Sequence, residues 1–510
     1  MLTLFLPVFL VLLLIGVPVF FAMLFAPGVM LWLNGQERDI ALMYRNIFNG
    51  IDNGVLLAIP FFMLAGELMN KGGITERLVT FSQAIIGSVR GGLAQVNILS
   101  SMLFAGMSGS AVADTSALGS MLIPAMEKEG YTRRFAAAIT AASSVIGPII
   151  PPSGIMIIYA YVMEVSVAAL FAGGIIPGLL VGVGLMVVTR AMANRYDFPP
   201  AKRVINTGLE IDFSENWMAR IIARLLVFVL LWASLRSFLP VDGEGSLTVV
   251  GWAGIVALIA VTEGIFRLLR MIMSDEFRIV SKRAVLPQLT PLIILGGILG
   301  GVATPTEASA LAVAYALLLG LFVLGTLKTK ELPAIFTKAA ITSSVVLLLV
   351  GAAMAFKTVV SLSYAAENLA AWILTLTSDP LMLLLLINLL LFIVGMFLDA
   401  GPAIIILGPI LAPIFINMGI DPVHFAMIMS VNLTVGLATP PMGLVLFVAS
   451  SVSGVKVETI SKTILPFLAV EVFVIFLITY FPAISLAIPS WLGFVQDADL
   501  LGPILRPFFS

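Results

Sequence analysis

The chain has 510 residues, of which 60% are hydrophobic and only 11% are charged, and its formal net charge is −1. A soluble domain usually carries about 25% charged residues because its surface must be hydrated, so most of this surface is predicted to face lipid. The near-neutral charge excludes an extended basic surface for a nucleic acid. The absence of cysteine excludes disulfides and thiolate chemistry, and the single histidine, His424, excludes a multi-histidine metal site.

Apolar stretches long enough to cross a hydrocarbon core of about 30 Å recur along the whole chain. The first begins near Met1 without the basic region and cleavage site of a signal peptide, so we expect a retained membrane helix. The predicted uninterrupted spans are 4–33, 51–69, 168–190, 219–239, 247–269, 308–327, 339–360, 380–398 and 464–489. Other apolar segments are interrupted by Gly and Pro, which lipid tolerates only where the backbone is buried in protein or lines a cavity.

An internal repeat appears when the chain is slid against itself by 289 residues. With 44 Gly and 28 Pro in 510 residues, chance gives about one identical Gly or Pro match over roughly 70 positions. The chain shows nine in register, which indicates two copies of one unit. The matched pairs are Gly106/Gly395, Gly119/Gly408, Pro124/Pro413, Gly130/Gly419, Gly147/Gly436, Pro151/Pro440, Pro152/Pro441, Gly154/Gly443 and Pro177/Pro466.

Equivalent loops of the two copies carry opposite charge bias. The loop 127–134 contains three basic residues, whereas its counterpart 416–423 contains none. The next pair reverses this bias, with no basic residue in 164–173 and two in 453–462. Since basic loops stay on the cytoplasmic side of a membrane, the two repeats are predicted to be inverted.

The predicted organisation has four parts: repeat 1 (1–203), an inserted transmembrane hairpin with its linkers (204–281), repeat 2 (282–490) and a C-terminal tail (491–510). The insertion holds two extra spans joined by Asp242-Gly-Glu244, and basic residues flank both sides. That pattern predicts a hairpin that enters from the cytoplasm and returns to it. The expected fold class is therefore all-α integral membrane, with two inverted repeats and an extra two-helix insertion.

Each copy contains the same two interrupted segments in the same order. The first is a short apolar segment broken by small polar residues, within 97–126 in copy one and about 388–415 in copy two. The second is broken by paired prolines, within 135–163 and 424–452. Because each arm is too short to cross the membrane, we expect re-entrant helical hairpins and Pro-broken helices whose half-helix ends lie at mid-depth.

Half-helix ends at that depth suit the binding of ions. Their N-termini attract an anionic group, and their C-termini with unwound carbonyls coordinate Na⁺. Asp114 and Asp399 lie beside the two hairpin breaks, where a bound cation would offset the cost of a buried carboxylate. The alternative is that both only N-cap the hairpin helices, and the two roles are compatible. Two pseudo-equivalent sites predict at least two Na⁺.

The candidate residues come from these breaks. The candidate Na⁺ ligands are Ser108, Ser110, Asp114, Gly147 and Pro148 in repeat 1, and Asp399, Gly401, Gly436, Thr439 and Met442 in repeat 2. The candidate substrate-binding residues are Ser108, Gly109, Ser110, Ser153, Gly154, Pro402 and Pro441.

Four other ionisable positions interrupt apolar sequence, and one of them, Glu67, is equivalent to the neighbour of Lys357 in the 289-residue register. Lys357 is suited to face a substrate carboxylate or to pair with an acid, and the alternative is that it extends to the membrane interface. Glu307 follows Thr304-Pro-Thr, so we expect it to cap the start of a helix rather than to bind. Glu471 lies inside the last long apolar stretch without an assigned role.

Several of these strings resemble a known family. GMSGSAVADTSALG at 106–119 and GGVATPTEA at 300–308 are similar to signatures of the large membrane subunit of tripartite ATP-independent periplasmic (TRAP) transporters. The strings GPIIPPS at 147–153 and GLATPPMG at 436–443 agree with it. The resemblance covers about 1–200 and 282–490.

The resemblance implies Na⁺-driven secondary uptake of small organic anions through the bacterial inner membrane, with an elevator-like movement of the hairpin domain. It also implies two partners, a small membrane subunit and a periplasmic substrate-binding protein. The family's cation sites would map onto Ser108, Ser110, Asp114 and Asp399. The insertion at 204–280 departs from the family pattern, and its helices either contact or partly replace those of the small subunit.

Other functions remain open at this point. A stand-alone Na⁺/dicarboxylate transporter of related two-repeat architecture would need no binding protein. An intramembrane aspartyl enzyme would use Asp114 and Asp399 as an acid–base pair, but it would leave the inverted repeat unexplained. A passive channel is disfavoured because closed hairpins offer no continuous polar helix face.

Overall fold

The computed structural model describes residues 5–195, 198, 211, 213–235, 249–364, 368, 369, 371, 375, 377 and 379–496, and the regular structure of this part is helical throughout. Seven helical stretches in it are long and apolar enough to cross a membrane, and the predicted all-α membrane fold is confirmed. These stretches are Gly54–Lys71, Val167–Ala193, Asp275–Leu299, Pro305–Val323, Thr329–Leu362, Ala400–Asn417 and Val457–Tyr480.

The helices follow the predicted order. The first ten are α1 (Phe5–Leu14), α2 (Val19–Leu33), α3 (Glu37–Ile51), α4 (Ala58–Lys71), α5 (Ile74–Ile86), α6 (Gly92–Ser108), α7 (Ala111–Lys128), α8 (Arg133–Ser144), α9 (Gly154–Met163) and α10 (Val167–Arg195). The insertion contributes α11 (Phe213–Leu235) and α12 (Val249–Ile272). The remaining helices are α13 (Asp275–Leu299), α14 (Pro305–Leu318), α15 (Leu332–Leu362), α16 (Pro380–Phe397), α17 (Ala400–Asn417), α18 (Pro422–Gly436), α19 (Leu444–Ser453), α20 (Val457–Tyr480) and α21 (Ala483–Trp491).

Two predicted spans are wrong as single helices. The span 4–33 divides into α1 and α2, because Gly16 adopts a left-handed backbone with φ +91° and Pro18 precedes the first turn of α2. The span 464–489 ends as a helix at Tyr480, because Pro482 disfavours helical backbone at the residue before it. The inserted spans 219–239 and 247–269 lie only partly inside the described residues, and Asp242-Gly-Glu244 lies outside them. The four domain limits, including the tail 491–510, stay a prediction.

The 289-residue register is visible in the helix limits. The shift places α7 on α17 at both ends, and it places α6 on α16 and α9 on α19 within one residue. Both Pro–Pro bonds, Pro151–Pro152 and Pro440–Pro441, are cis. The first copy therefore contains a hairpin (α6–α7) and a broken helix (α8–α9), and the second copy contains the equivalent hairpin (α16–α17) and broken helix (α18–α19).

The two copies exchange equivalent contacts. Hairpin helix α7 of the first copy packs on half-helix α19 of the second, where a methyl group at Gly119 would lie 3.4 Å from Val452. Hairpin helix α17 of the second copy packs on α9 of the first, where a methyl group at Gly408 would lie 3.5 Å from the Met163 sulfur. Val452 and Met163 are partners in the 289-residue register. A two-fold relation between the two copies produces such reciprocal contacts.

Buried polar side chains hold each hairpin to its own broken helix. In the first copy, Asn97 of α6 donates to the Thr140 hydroxyl of α8 at 2.7 Å. In the second copy, Asn432 of α18 donates to Asn388 of α16 at 2.6 Å, and Thr479 donates to the same Asn388 oxygen. Hydrogen bonds of this kind act as interhelical contacts where the hydrophobic effect between helices is weak.

A second group of helices packs beside the hairpins. Helix α15 lies against α2, α3 and α4, and α4 lies against α14. We call these five helices the scaffold group, and the two hairpins with the two broken helices the hairpin group. The insertion belongs to neither group. Its helix α11 contacts α12 and α13, and an ion pair between Arg77 and Glu215 ties α11 to α5.

Candidate functional site

The tip of the first hairpin is a tight turn between two helices. Helix α6 ends at Ser108, and Gly109 reverses the chain in the left-handed conformation with φ +59°. Ser110 then N-caps α7, its hydroxyl accepting a hydrogen bond from the Ala113 amide at 3.4 Å. A turn of this kind requires glycine, because a side chain is strained at a positive φ.

This tip lies against the break of the first Pro-broken helix. A methyl group at Gly109 would come within 2.6 Å of the Pro152 carbonyl oxygen and 3.5 Å of the Gly154 nitrogen. Ser153, fully buried, N-caps the half-helix α9 and accepts a hydrogen bond from the Met156 amide at 3.4 Å. The N-termini of α7 and α9 therefore meet at one place.

Asp114 lies one turn inside α7 and is fully buried. Its Oδ1 accepts a hydrogen bond from the Ser108 hydroxyl, whereas Oδ2 has no hydrogen-bond partner among the described residues. The free oxygen faces Gly147, where any side chain would overlap it. A buried carboxylate with an unpaired oxygen is costly unless a cation lies beside it, so this geometry favours a cation at the break.

Asp399 has a different environment. It N-caps α17 at the tip of the second hairpin, its Oδ1 accepting from the Ala400 amide at 2.8 Å, and its side chain is exposed. In the 289-residue register, Asp399 is equivalent to Ser110, and Asp114 is equivalent to the buried Ala403. Asp399 therefore caps a helix, as the alternative interpretation predicted, whereas Asp114 does not. The two acids are not at equivalent positions of the repeat.

The second break is more open than the first. Gly436 packs so closely on Gly395 of α16 that a methyl group at Gly436 would lie 2.5 Å from the Gly395 Cα. Thr439 is buried and donates to the Val435 carbonyl at 2.9 Å. Pro441 and Met442 are exposed, whereas Pro151 and Pro152 at the first break are buried. The two predicted sites share a backbone and differ in accessibility.

The remaining predicted residues divide between the two hairpins. Pro148 is buried at the first break beside Gly147. Gly401 of the second hairpin tip faces Ile158 of α9, 3.7 Å from a methyl group at that glycine, and Pro402 is partly exposed. Half-helix α9 is therefore touched by the first hairpin at its N-terminus and by the second hairpin along its side.

Two buried polar groups have environments that sequence reasoning missed. Both carboxylate oxygens of Glu471 in α20 are fully buried without a hydrogen-bond partner among the described residues. The same holds for the hydroxyl of Tyr159 in α9. The charge of Glu471 inside an apolar stretch was a visible signal, whereas nothing in the sequence distinguishes Tyr159 from a core aromatic.

Lys357 and Glu307 have structural partners. The Lys357 ammonium group donates to Glu164 Oε1 at 3.0 Å and to the Val162 carbonyl at 2.9 Å, so it pairs with an acid at the C-terminus of α9. Glu307 forms a capping box with Thr304, whose amide donates to the Glu307 carboxylate at 2.8 Å. The expectation that Glu307 caps a helix is confirmed.

A family model described as the tripartite ATP-independent periplasmic transporter, DctM component, matches residues 6–484. The chain belongs to this family. It is 35% identical over 482 residues to the sialic acid TRAP transporter large permease SiaM of Vibrio cholerae, covering 94% of this chain and 97% of SiaM. It is 34% identical over 465 residues to the C4-dicarboxylate TRAP transporter large permease DctM of Pseudomonas aeruginosa, covering 91% and 92% of the two chains.

Two further comparisons add to this relationship. The isethionate TRAP transporter permease DctMQ of Oleidesulfovibrio alaskensis is 37% identical over 439 residues, which cover 86% of this chain and 59% of that longer protein. The YdaH transporter of Alcanivorax borkumensis has a similar structure, with a TM-score of 0.51 at 16% identity, covering 92% of this chain and 90% of YdaH. That likeness concerns the fold alone.

Membership of the TRAP family establishes the class of protein. The chain is a multi-pass inner-membrane transport protein and not an enzyme, so the intramembrane aspartyl enzyme is set aside. Membership also implies a small membrane subunit and a periplasmic binding protein as partners.

The contact between the first hairpin tip and the first break can be tested with two matched glycines. Gly109→Ala should lower the free energy of unfolding of the purified protein by about 1–3 kcal/mol more than Gly130→Ala. Both substitutions strain the backbone, but only the methyl group at Gly109 would also clash with a neighbouring group. Both glycines have positive φ, but a methyl group at Gly130 meets nothing within 4 Å. Thermal unfolding in detergent measures the difference, and equal losses would contradict a close contact with Pro152.

Proposed function

We propose that the chain is the transport subunit of a Na⁺-driven importer of small organic anions, fed by a periplasmic binding protein. The observation that carries the proposal is the buried Asp114 carboxylate, whose free oxygen faces the first helix break. The names of the related permeases support the substrate class, since sialic acid, C4-dicarboxylates and isethionate are all anions at neutral pH.

The donor set at the first break fits Na⁺. Hard cations prefer oxygen ligands, and this place offers the Asp114 carboxylate, the Ser108 hydroxyl and the backbone around Gly147 and Pro148. At the second break, Asp399, Gly401, Gly436, Thr439 and Met442 would supply a second set, with Asp399 as its carboxylate. We expect at least two Na⁺, bound unequally because the second break is more exposed.

The place for the anion is where α7 and α9 begin. Two helix N-termini that point at one region carry partial positive charge and attract a carboxylate. Ser110 and Ser153 cap these ends, and Gly109 lets the two ends come together. A methyl group at Gly154 would meet nothing within 4 Å, so a ligand could approach the backbone there. Pro402 and Pro441 would border the same region from the second copy. A cation near Asp114 would add to the attraction, so anion and Na⁺ would bind together.

An elevator movement would carry the hairpin group past the scaffold group. Half-helix α9 is linked to the scaffold group by three hydrogen bonds. Lys357 of α15 donates to Glu164 and to the Val162 carbonyl, and the Tyr161 hydroxyl donates to the Gly50 carbonyl at 2.8 Å. A partly exposed ion pair contributes only about 0–1 kcal/mol, so such contacts break without a large barrier. These contacts would favour one position of the hairpin group and would still allow it to move.

The test is uptake of radiolabelled anions by proteoliposomes that contain this chain and its small subunit. Accumulation should require both the periplasmic binding protein and an inward Na⁺ gradient. Uptake that needs Na⁺ but no binding protein would favour the stand-alone Na⁺/dicarboxylate transporter. Uptake that is indifferent to Na⁺ would contradict the coupling.

Substitution of the two aspartates separates ion binding from helix capping. Asp114→Asn and Asp399→Asn should each raise the Na⁺ concentration for half-maximal uptake roughly 10- to 100-fold, since hydrogen bonds and contacts to a charged group contribute about 1.5–3 kcal/mol. The matched control is Asp379→Asn, because Asp379 also N-caps a helix of the second hairpin.

Asp379→Asn should leave the Na⁺ dependence unchanged. If Asp399→Asn behaves like Asp379→Asn, then Asp399 is only a cap. A Hill slope of one for Na⁺ in the wild-type protein would count against two coupled sites.

The link between α9 and the scaffold group gives a further prediction. Lys357→Gln should speed hydrogen–deuterium exchange in the peptide around 158–165 about two- to fivefold, because it removes a contact of up to about 1 kcal/mol. Lys338→Gln is the control, since Lys338 lies on the same helix and pairs with Glu67 inside the scaffold group at 2.7 Å. Unchanged exchange in Lys357→Gln would show that the pair does not hold α9.

A further inference from the structure

The insertion forms a cavity that the transport site does not use. A cavity of about 310 Å³ lies between α11, α12 and α13. Its lining includes five basic side chains, and its apolar side includes Phe266 and Val285. We call it the basic pocket, and its cations are Arg220, Arg224, Arg270, Arg278 and Lys282.

Acidic side chains neutralise only part of this charge. Arg224 forms a two-pronged ion pair with Glu263, with a shortest distance of 2.9 Å, and Arg278 pairs with Asp275 at 2.5 Å. Arg220, Arg270 and Lys282 make no ion pair within the described part of the chain. Lys282 lies within electrostatic reach of all four arginines of the pocket. Cations gathered this closely repel one another unless an anion lies among them.

The pocket lies at one end of lipid-facing helices. Its residues come from the first turns of α11, the last turns of α12 and the first turns of α13, which meet at the short connection before Asp275. Large apolar side chains beside it are exposed, among them Leu225, Leu268 and Met271. An end of a bundle that is apolar outside and basic inside belongs at the level of the lipid headgroups, on the cytoplasmic side.

We propose that the basic pocket binds the phosphate-bearing headgroup of an anionic phospholipid. Guanidinium groups bind phosphate oxygens through paired hydrogen bonds, and basic pockets between membrane helices on the cytoplasmic side suit such headgroups. The Ser281 hydroxyl, which lines the pocket, is buried without a hydrogen-bond partner among the described residues and can donate to the phosphate.

Size favours a headgroup over a protein segment. About 310 Å³ lies at the lower end of the range for small-ligand sites, which suits a phosphoglycerol group and is too small for a helix of a partner subunit. The apolar wall with Phe266 would contact the start of the acyl chains. Since α11 is also tied to α5 by the pair of Arg77 and Glu215, a bound lipid would brace the insertion against the first repeat.

Native mass spectrometry of the full-length chain in detergent tests this proposal. Phosphatidylglycerol is titrated against phosphatidylcholine, and the wild-type protein should retain the anionic lipid preferentially. Each cation near a headgroup contributes about 1 kcal/mol, so Arg220→Gln/Arg270→Gln should weaken phosphatidylglycerol binding roughly 30-fold. The control is Lys456→Gln/Lys462→Gln, which removes two exposed cations from a loop predicted to lie on the same side of the membrane.

The outcomes separate the possible ligands. Equal retention of the two lipids by the wild-type protein, or equal losses in the two double variants, would overturn the proposal. Protection against heat by millimolar glycerol 3-phosphate to the same extent as by phosphatidylglycerol would assign the pocket to a soluble phosphate instead. Displacement of bound phosphatidylglycerol by the purified small subunit would assign it to a protein contact. Lys282→Gln, a single change at the partly buried rim, repeats the test should the double variant fail to fold.

Discussion

The structure depends on the need to satisfy the backbone at the two Pro–Pro breaks within the membrane. Lipid offers no hydrogen bonds, so broken helices must be enclosed by protein or by bound ions. Each hairpin lies against a broken helix for this reason, and the closeness of that contact requires glycine. Gly109 packs on the Pro152 carbonyl, and Gly436 packs on Gly395, where even a methyl group would collide with the backbone.

The repeated backbone carries different chemistry in its two copies. Asp114 has Ala403 as its counterpart, and Ser110 has Asp399, so the carboxylate near each hairpin tip lies at a different position of the repeat. The first carboxylate is fully buried and the second is exposed. Of the two proposed cation sites, one would therefore be enclosed and the other accessible, so ions that enter from one side would meet them under unequal conditions.

The sequence predicted the repeat and its hairpins closely because Gly and Pro act locally on the backbone. Their register located both hairpins, although the predicted bounds 97–126 and about 388–415 are narrower than the observed 92–128 and 380–417. The division of 4–33 was missed because the apolar pattern continues through Gly16 and Pro18, although these residues carry the signal. The pair of Lys357 and Glu164 was not predictable, because 193 residues separate its members and only tertiary packing joins them.

Half-helix α9 contacts both hairpins and the scaffold group. Its N-terminus lies under the first hairpin at Gly109, its side faces Gly401 of the second hairpin, and its C-terminus reaches the scaffold group through Lys357. Ten helical residues form a rigid rod of about 15 Å. In the proposed mechanism, a shift of the N-terminus on binding of an ion or anion would be transmitted along this rod to the scaffold contact. Coupling of binding to movement would require such a continuous connection between the proposed binding site and the contact between α9 and the scaffold group.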